Sequence, residues 1–146
     1  MMEESKDAVS CLIIYPSGNV IIQEHTKTGM LTIPSGTIEY DELPGDAIVR
    51  ELKEELGIEV DARTDFAMVE LFTHPKLLGQ DGHREFRYIL QVNDDFVYHN
   101  AEPEKHPWMG PMHPLSIQST SLPLTQILTS VICKMEKGEY NKYMTV

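Results

Sequence analysis

The chain has 146 residues, a length that suits one domain around one hydrophobic core. Apolar residues make up 41% of it, too many for a disordered chain, and 12 basic against 23 acidic residues give a formal charge of −11. That balance argues against sequence-independent binding to nucleic acid and against docking on anionic membranes, both of which need a basic face. A phosphate-bearing substrate would be repelled, so metal cations and local basic residues must offset the field.

The N-terminus, MMEESKDAVS, has neither the basic start nor the apolar core of a signal peptide, and no apolar run approaches about 20 residues. The two cysteines, Cys11 and Cys133, stand in apolar strand-like and helix-like runs. They read as small buried thiols of a reducing compartment, and a cytoplasmic protein is expected. One domain over residues 1–146 is expected, with neither repeat nor linker.

Residues 8–15 are rich in Val, Ile and Leu and predict a buried strand. Pro16-Ser17-Gly18-Asn19 predicts a turn and residues 20–23 a returning strand. A polar loop follows over 25–29, then a short extended piece over 31–34, where Pro34 biases Ile33 away from helix. Pro44 suits a first helical position, although Leu43 is a poor cap. The helix should end at Leu56, with Gly57 free to turn left-handed. Strands are predicted over 66–72 and 84–92, separated by a Pro- and Gly-containing loop over 74–83. Residues 94–112 read as irregular and hold the one tryptophan, Trp108. A second helix is predicted over 122–137, where Leu124, Ile127, Leu128, Val131, Ile132 and Met135 form one apolar stripe. That stripe reads as core packing.

The first helix carries the chemistry. With about 100° per residue and Glu51 at the origin, Glu54 lies near −60° and Glu55 near +40°. Ile48, Leu52, Leu56 and Val49 fill the adjacent arc, so the carboxylates border the buried stripe rather than oppose it. Lys53 points away from them. Arg50 flanks them and is expected to pair with Asp46 or Glu54. Like charges at these spacings cost a few tenths of a kcal/mol each when exposed, and more when half-buried. A hard divalent cation removes that cost, and oxygen ligands suit Mg²⁺ or Mn²⁺ rather than Zn²⁺. The plain alternative is a solvated acidic helix face.

The wider spacing decides between them. Gly36, Glu42, Arg50, Glu51, Leu52, Glu54, Glu55, Gly57 and Ile58 meet every specified position of the signature that marks the Nudix hydrolases. The chain resembles that family, and its flanks resemble the MutT-like branch. The resemblance implies an α/β/α sandwich around a mixed β-sheet. It implies hydrolysis of a nucleoside diphosphate linked to another moiety, with Mg²⁺ or Mn²⁺ as cofactor, and a homodimer is common in the family. Carried over, Glu51, Glu54 and Glu55 look like metal ligands, with Glu51 also the general base in some members. Arg50 looks like the residue that orients the glutamates. Glu42 looks like a brace, Gly36 and Gly57 look structural, and Ser35 offers a backbone carbonyl to metal.

Substrate choice lies in the loops. The resemblance makes Glu102 or Glu104 a further acidic ligand, against the plain reading of a polar surface loop. Lys27, His83 and Arg84 are candidate phosphate or base contacts, and Trp108 a candidate base platform, although tryptophan is more often packing. The absence of a suitably placed downstream Pro or Tyr favours a nucleoside triphosphate over ADP-ribose, nucleotide sugars or dinucleoside polyphosphates. A non-catalytic sensor of the same fold is the reading from another class, and the intact glutamates speak against it.

Overall fold

The computed structural model describes residues 7–66, 68–74 and 82–114. The predicted helix over 122–137, Cys133 and most of the loop over 74–83 lie outside the described residues.

Among the described residues, seven strands form one sheet: β1 (Ala8–Ile14), β2 (Val20–Glu24), β3 (Leu31–Thr32), β4 (Ser35–Thr37), β5 (Met68–His74), β6 (His83–Gln91) and β7 (Met109–Met112). Its main path runs β3-β2-β1-β6-β5, with β4 paired to β1 and β7 to β2. The sheet is mixed, because β1 and β6 run parallel while the other pairs are antiparallel. The first two strands and their turn form as their composition dictates, with Tyr15 N–H donating to the Asn19 carbonyl across the turn.

Two short strands were not legible. β4 covers the Ser35 and Gly36 positions, and β7 forms within the stretch expected to be irregular. Both are too short for an alternating pattern, and both owe their form to a neighbour strand.

Helix α1 (Pro44–Leu56) sits against the β1 side of the sheet. No side chain caps its start, as the Leu43 position implied; Pro44 and Asp46 occupy its first turn. Ile48, Leu52 and Leu56 are fully buried against Val9, Cys11, Ile13 and Tyr88. Each such side chain contributes about 2 kcal/mol. That outweighs the repulsion among three glutamates, so the helix stands despite its charge.

The helix ends where Gly57 adopts φ +69° and donates its N–H to the Lys53 carbonyl. A strap over residues 99–101 then caps the next carbonyls: His99 N–H donates to Leu56 O and Ala101 N–H to Glu55 O. The His99 ring fills the space that a Cβ at Gly57 would need. Gly57→Ala is therefore expected to cost about 2 kcal/mol, from the left-handed backbone together with the displaced ring. Thermal denaturation should show a Tm lower by about 4–8 °C; an unchanged Tm would mean that the strap does not hold the helix end.

Candidate active site

Three pieces of backbone meet at the C-terminal half of α1: strand β4 alongside it, the loop over residues 25–30, and the strap leading into residues 102–106. They enclose a cleft of about 630 Å³ lined by Glu51, Glu54, Glu55, Glu102, Arg50 and Lys105 among others. A cavity of that size is within the range that holds a nucleotide-sized ligand.

The approach of β4 to the helix depends on Gly36. A Cβ there would run into the Glu51 carboxyl. Ser35 adopts no positive φ, and its backbone N–H faces Glu55. Serine therefore stands at this position without backbone strain.

Arg50 organises the acidic turn. Its Nε and Nη2 grip Glu42 at 2.8 and 2.9 Å, and Nη2 also donates to the Thr37 carbonyl at 3.0 Å. The remaining Nη1 reaches Glu51 at 2.9 Å and Glu54 at 3.4 Å. Arg50 thus pairs with Glu42, rather than with Asp46, and with Glu54 as expected. Glu42 in turn accepts the Glu39 N–H, so the loop before the helix is folded around it. The Arg50 guanidinium holds the Glu42 carboxyl below its ordinary pKa. Glu51 moves the other way: burial raises it, and the Arg50 contact offsets part of the rise.

Glu55 differs from its neighbours. The helical wheel set it at the border of the stripe, but the packed structure buries it, at 5% exposure. Burial, reinforced by the nearby Glu51, pushes its carboxyl up to about 8. The Gln23 amide and the Ser35 N–H face it and pull slightly downward. Even so, Glu55 Oε2 and both Gln23 amide atoms make no hydrogen bond of good geometry. His106 Nε2 lies 3.5 Å from Glu55 Oε1. That separation suggests an ion pair, yet burial drives the imidazole pKa down and the carboxyl pKa up. Both shifts favour the uncharged forms, a protonated carboxyl beside a neutral imidazole.

Among the described residues, no three carboxylate, thiol or imidazole groups already stand as a finished metal cage. Protein cations occupy that role instead: Arg50 between Glu51 and Glu54, and Lys105 on Glu102 at 3.1 Å. The donor set still fits a divalent ion. It is all oxygen, and it includes a buried carboxyl oxygen without a partner.

Of the expected loop residues, Glu102 enters the cleft and Glu104 does not. Lys27 is exposed beside the cleft rather than in its lining, because its loop turns it outward. Arg84 is held at the far end of β6 by Asp7, with Nη2 to Oδ2 at 2.7 Å. His83 pairs in register with His74 at that same end and also stays out of the cleft lining. Trp108 lies over Gly110, where a Cβ would come within 3.0 Å of its ring, and it does not line the cleft.

In their place the fold brings His25, Lys105 and His106 to the cleft. Thr26 ties the first loop to the strap, its N–H to Lys105 O and its hydroxyl to Glu104 O. The His25 and His106 rings meet edge to face at 6.1 Å. Lone histidines and a lysine in polar loops carry no spacing pattern, so only the sheet register between β2 and β7 could have found them.

Comparison with known proteins agrees with this architecture. The NUDIX domain profile matches residues 4–121. No curated protein matches the chain in sequence. Among solved structures, the chain is similar to a MutT NUDIX hydrolase from Burkholderia pseudomallei, at 19% identity and a TM-score of 0.70 over 87% of this chain and 98% of that one. It is similar to an Ap4A hydrolase from C. elegans, at 13% identity and a TM-score of 0.72 over 91% and 99%. It is also similar to a bifunctional NMN adenylyltransferase/ADP ribose pyrophosphatase from Francisella tularensis, solved with AMP and a Mn ion. There the identity is 16% and the TM-score 0.74, over 91% of this chain but 42% of that longer protein. At these identities the likeness carries the fold alone, whereas the profile spans most of the chain and its acidic turn. The chain therefore belongs to the NUDIX family of hydrolases.

Proposed function

We propose that this hydrolase is a Mg²⁺-dependent pyrophosphohydrolase that converts a nucleoside or deoxynucleoside triphosphate to the monophosphate and pyrophosphate. The observation that carries the reading is the convergence of Glu51, Glu54, Glu55 and Glu102 on one cleft with Arg50 and Lys105 beside them. Five carboxylates, Glu39 among them, against two protein cations leave the cleft anionic, so a polyphosphate can enter only with metal. Glu51, Glu54, Glu55, Glu102 and the Ser35 carbonyl would hold the ions. Bound there, a divalent ion neutralises phosphate oxygens and makes water a better nucleophile.

The chain's own residues do the rest. Glu51, half-buried with a raised proton affinity, takes a proton from the attacking water as its oxygen bonds to phosphorus. The bridging P–O bond breaks and pyrophosphate departs with the electron pair. Arg50, anchored through Glu42 and Thr37, holds Glu51 and Glu54 in register. Lys105 reaches the substrate phosphates. Thr28, Thr32 and Met30, which also line the cleft, would meet the nucleoside. A cytoplasmic setting suits the free, buried Cys11.

Lys105→Ala should raise KM about tenfold and leave kcat within about twofold, the loss of one charge-assisted contact to a bound phosphate. An unchanged KM would take Lys105 off the substrate. The function itself is tested by incubating the protein with Mg²⁺ and a panel of nucleoside triphosphates, ADP-ribose, Ap4A and nucleotide sugars, and separating the products by ion exchange. Monophosphate plus pyrophosphate from a triphosphate supports the reading. Fast cleavage of ADP-ribose or Ap4A with triphosphates untouched overturns it.

A further inference from the structure

The nine signature residues leave part of the cleft floor unexplained. Gln23, on strand β2, is fully buried with both amide atoms lacking a hydrogen bond. His106, 5% exposed, has Nε2 at 3.5 Å from Glu55 Oε1, while its ring faces the Glu24 backbone and its Nδ1 makes no hydrogen bond of good geometry. The third member is Glu55, whose Oε2 is buried and unpaired. Three polar side chains thus face one another beneath the cleft. None fully satisfies the others.

Such a cluster is costly in a protein that only needs to fold, since apolar residues of the same volume would pack without an orphaned group. Its backbone is nonetheless held firmly. His106 N–H donates to Glu102 O, its own carbonyl accepts from the Asn100 side chain, and Glu24 N–H next to Gln23 is tied to Trp108 O. The frame is rigid and the side-chain hydrogen bonds are held open around Glu55.

We infer that His106 and Gln23 are positioning residues that set the rotation of the Glu55 carboxylate, and through it the affinity of the cleft for a divalent cation. This rests on the reading of Glu55 as a metal ligand. With Glu55 ionised, the imidazole Nε2, now 3.5 Å from Oε1, would donate to that oxygen, and the Gln23 amide that faces the carboxyl group would donate to its other side. A carboxylate so restrained loses less freedom when a cation arrives, and groups placed in this way behind a ligand are worth about 10- to 100-fold in metal affinity.

The test is Mn²⁺ titration of the full-length protein, followed by the EPR signal of free Mn²⁺, with a thermal melt of each metal-free variant. Gln23→Met and His106→Leu should each weaken Mn²⁺ binding about 10- to 100-fold. His106→Gln, which keeps an N–H near the Nε2 position, should stay within about threefold of the unaltered protein, as expected if one retained donor suffices. Gln23→Met should melt no lower than the unaltered protein, since it removes an unpaired buried amide. A group that merely packs would lower Tm and leave Mn²⁺ binding alone. Unaltered Mn²⁺ affinity in both Gln23→Met and His106→Leu overturns the inference while Glu55 remains a ligand. Should the unaltered protein itself bind no Mn²⁺, the metal reading of the cleft falls first and this one with it. If His106→Leu does not fold, Gln23→Met and His106→Gln decide the matter.

Discussion

Glu51→Gln is expected to lower kcat by about 10²- to 10³-fold at saturating Mg²⁺, the scale of losing a positioned base or metal group. Glutamine is nearly isosteric and its carbonyl oxygen can still accept from Arg50 Nη1, now 2.9 Å from Glu51 Oε1. The Arg50–Glu42 brace and the path of β4 past Gly36 should therefore persist, and Tm should move little. What disappears is negative charge and proton affinity at the one acidic side chain where β4, α1 and Arg50 meet. Measuring pyrophosphate release together with Mn²⁺ binding divides the two roles. A rate loss with metal affinity within about tenfold marks Glu51 as the base; equal losses in both mark it chiefly as a ligand. A rate within about fivefold of the unaltered protein would remove Glu51 from the reaction.

Glu55→Gln carries the second large effect, and its sign depends on pH. Burial raises the Glu55 carboxyl from 4.5 to about 8 in the metal-free protein. A carboxyl raised on folding favours the fold while it is protonated, below the unfolded value, and that favour is lost as pH climbs through about 8. The metal-free protein should therefore lose stability between about pH 4.5 and pH 8 on account of this group, by up to a few kcal/mol. Glutamine cannot ionise. The variant should match the unaltered protein near pH 4.5 and melt higher than it above pH 8. Subtracting the two curves cancels Glu51, Glu42 and Asp7, which titrate in both.

Metal reverses the ranking. Excess Mn²⁺ at pH 8 should raise the Tm of the unaltered protein by mass action and leave Glu55→Gln almost unmoved. Turnover of the variant should fall by at least about 10²-fold. Parallel melting curves across pH would show that Glu55 stays ionised in its pocket without help, and the account of a cation-dependent carboxylate would fail.

The helix was legible because its signals are local. Pro44, Gly57 and the Ile48-Leu52-Leu56 spacing each act over one or two turns, and the observed limits match them. The long strands were legible for the same reason, with ends displaced by one or two residues. β4 and β7 were not, because two to four residues hold no period and take their form from β1 and β2. The wheel placed Glu55 correctly in angle yet missed its burial, since depth depends on Gln23, Ser35 and His106 arriving from elsewhere.

What the amino-acid order settled alone was membership of a family and the identity of the acidic turn, because those nine positions lie within one helix and the short segments on either side of it. Which cation lines the cleft is a tertiary matter. Lys27 looked suitable by proximity in sequence, but Thr26 turns its loop onto residues 104 and 105 and presents Lys105 instead. Arg84 is spent on Asp7, 77 residues away in the chain. The strap that brings Glu102 and His106 to Glu55 is fixed by backbone hydrogen bonds to the end of α1. Backbone groups are the same in every residue, so contacts of that kind leave no mark in the sequence and appear only when the chain is folded.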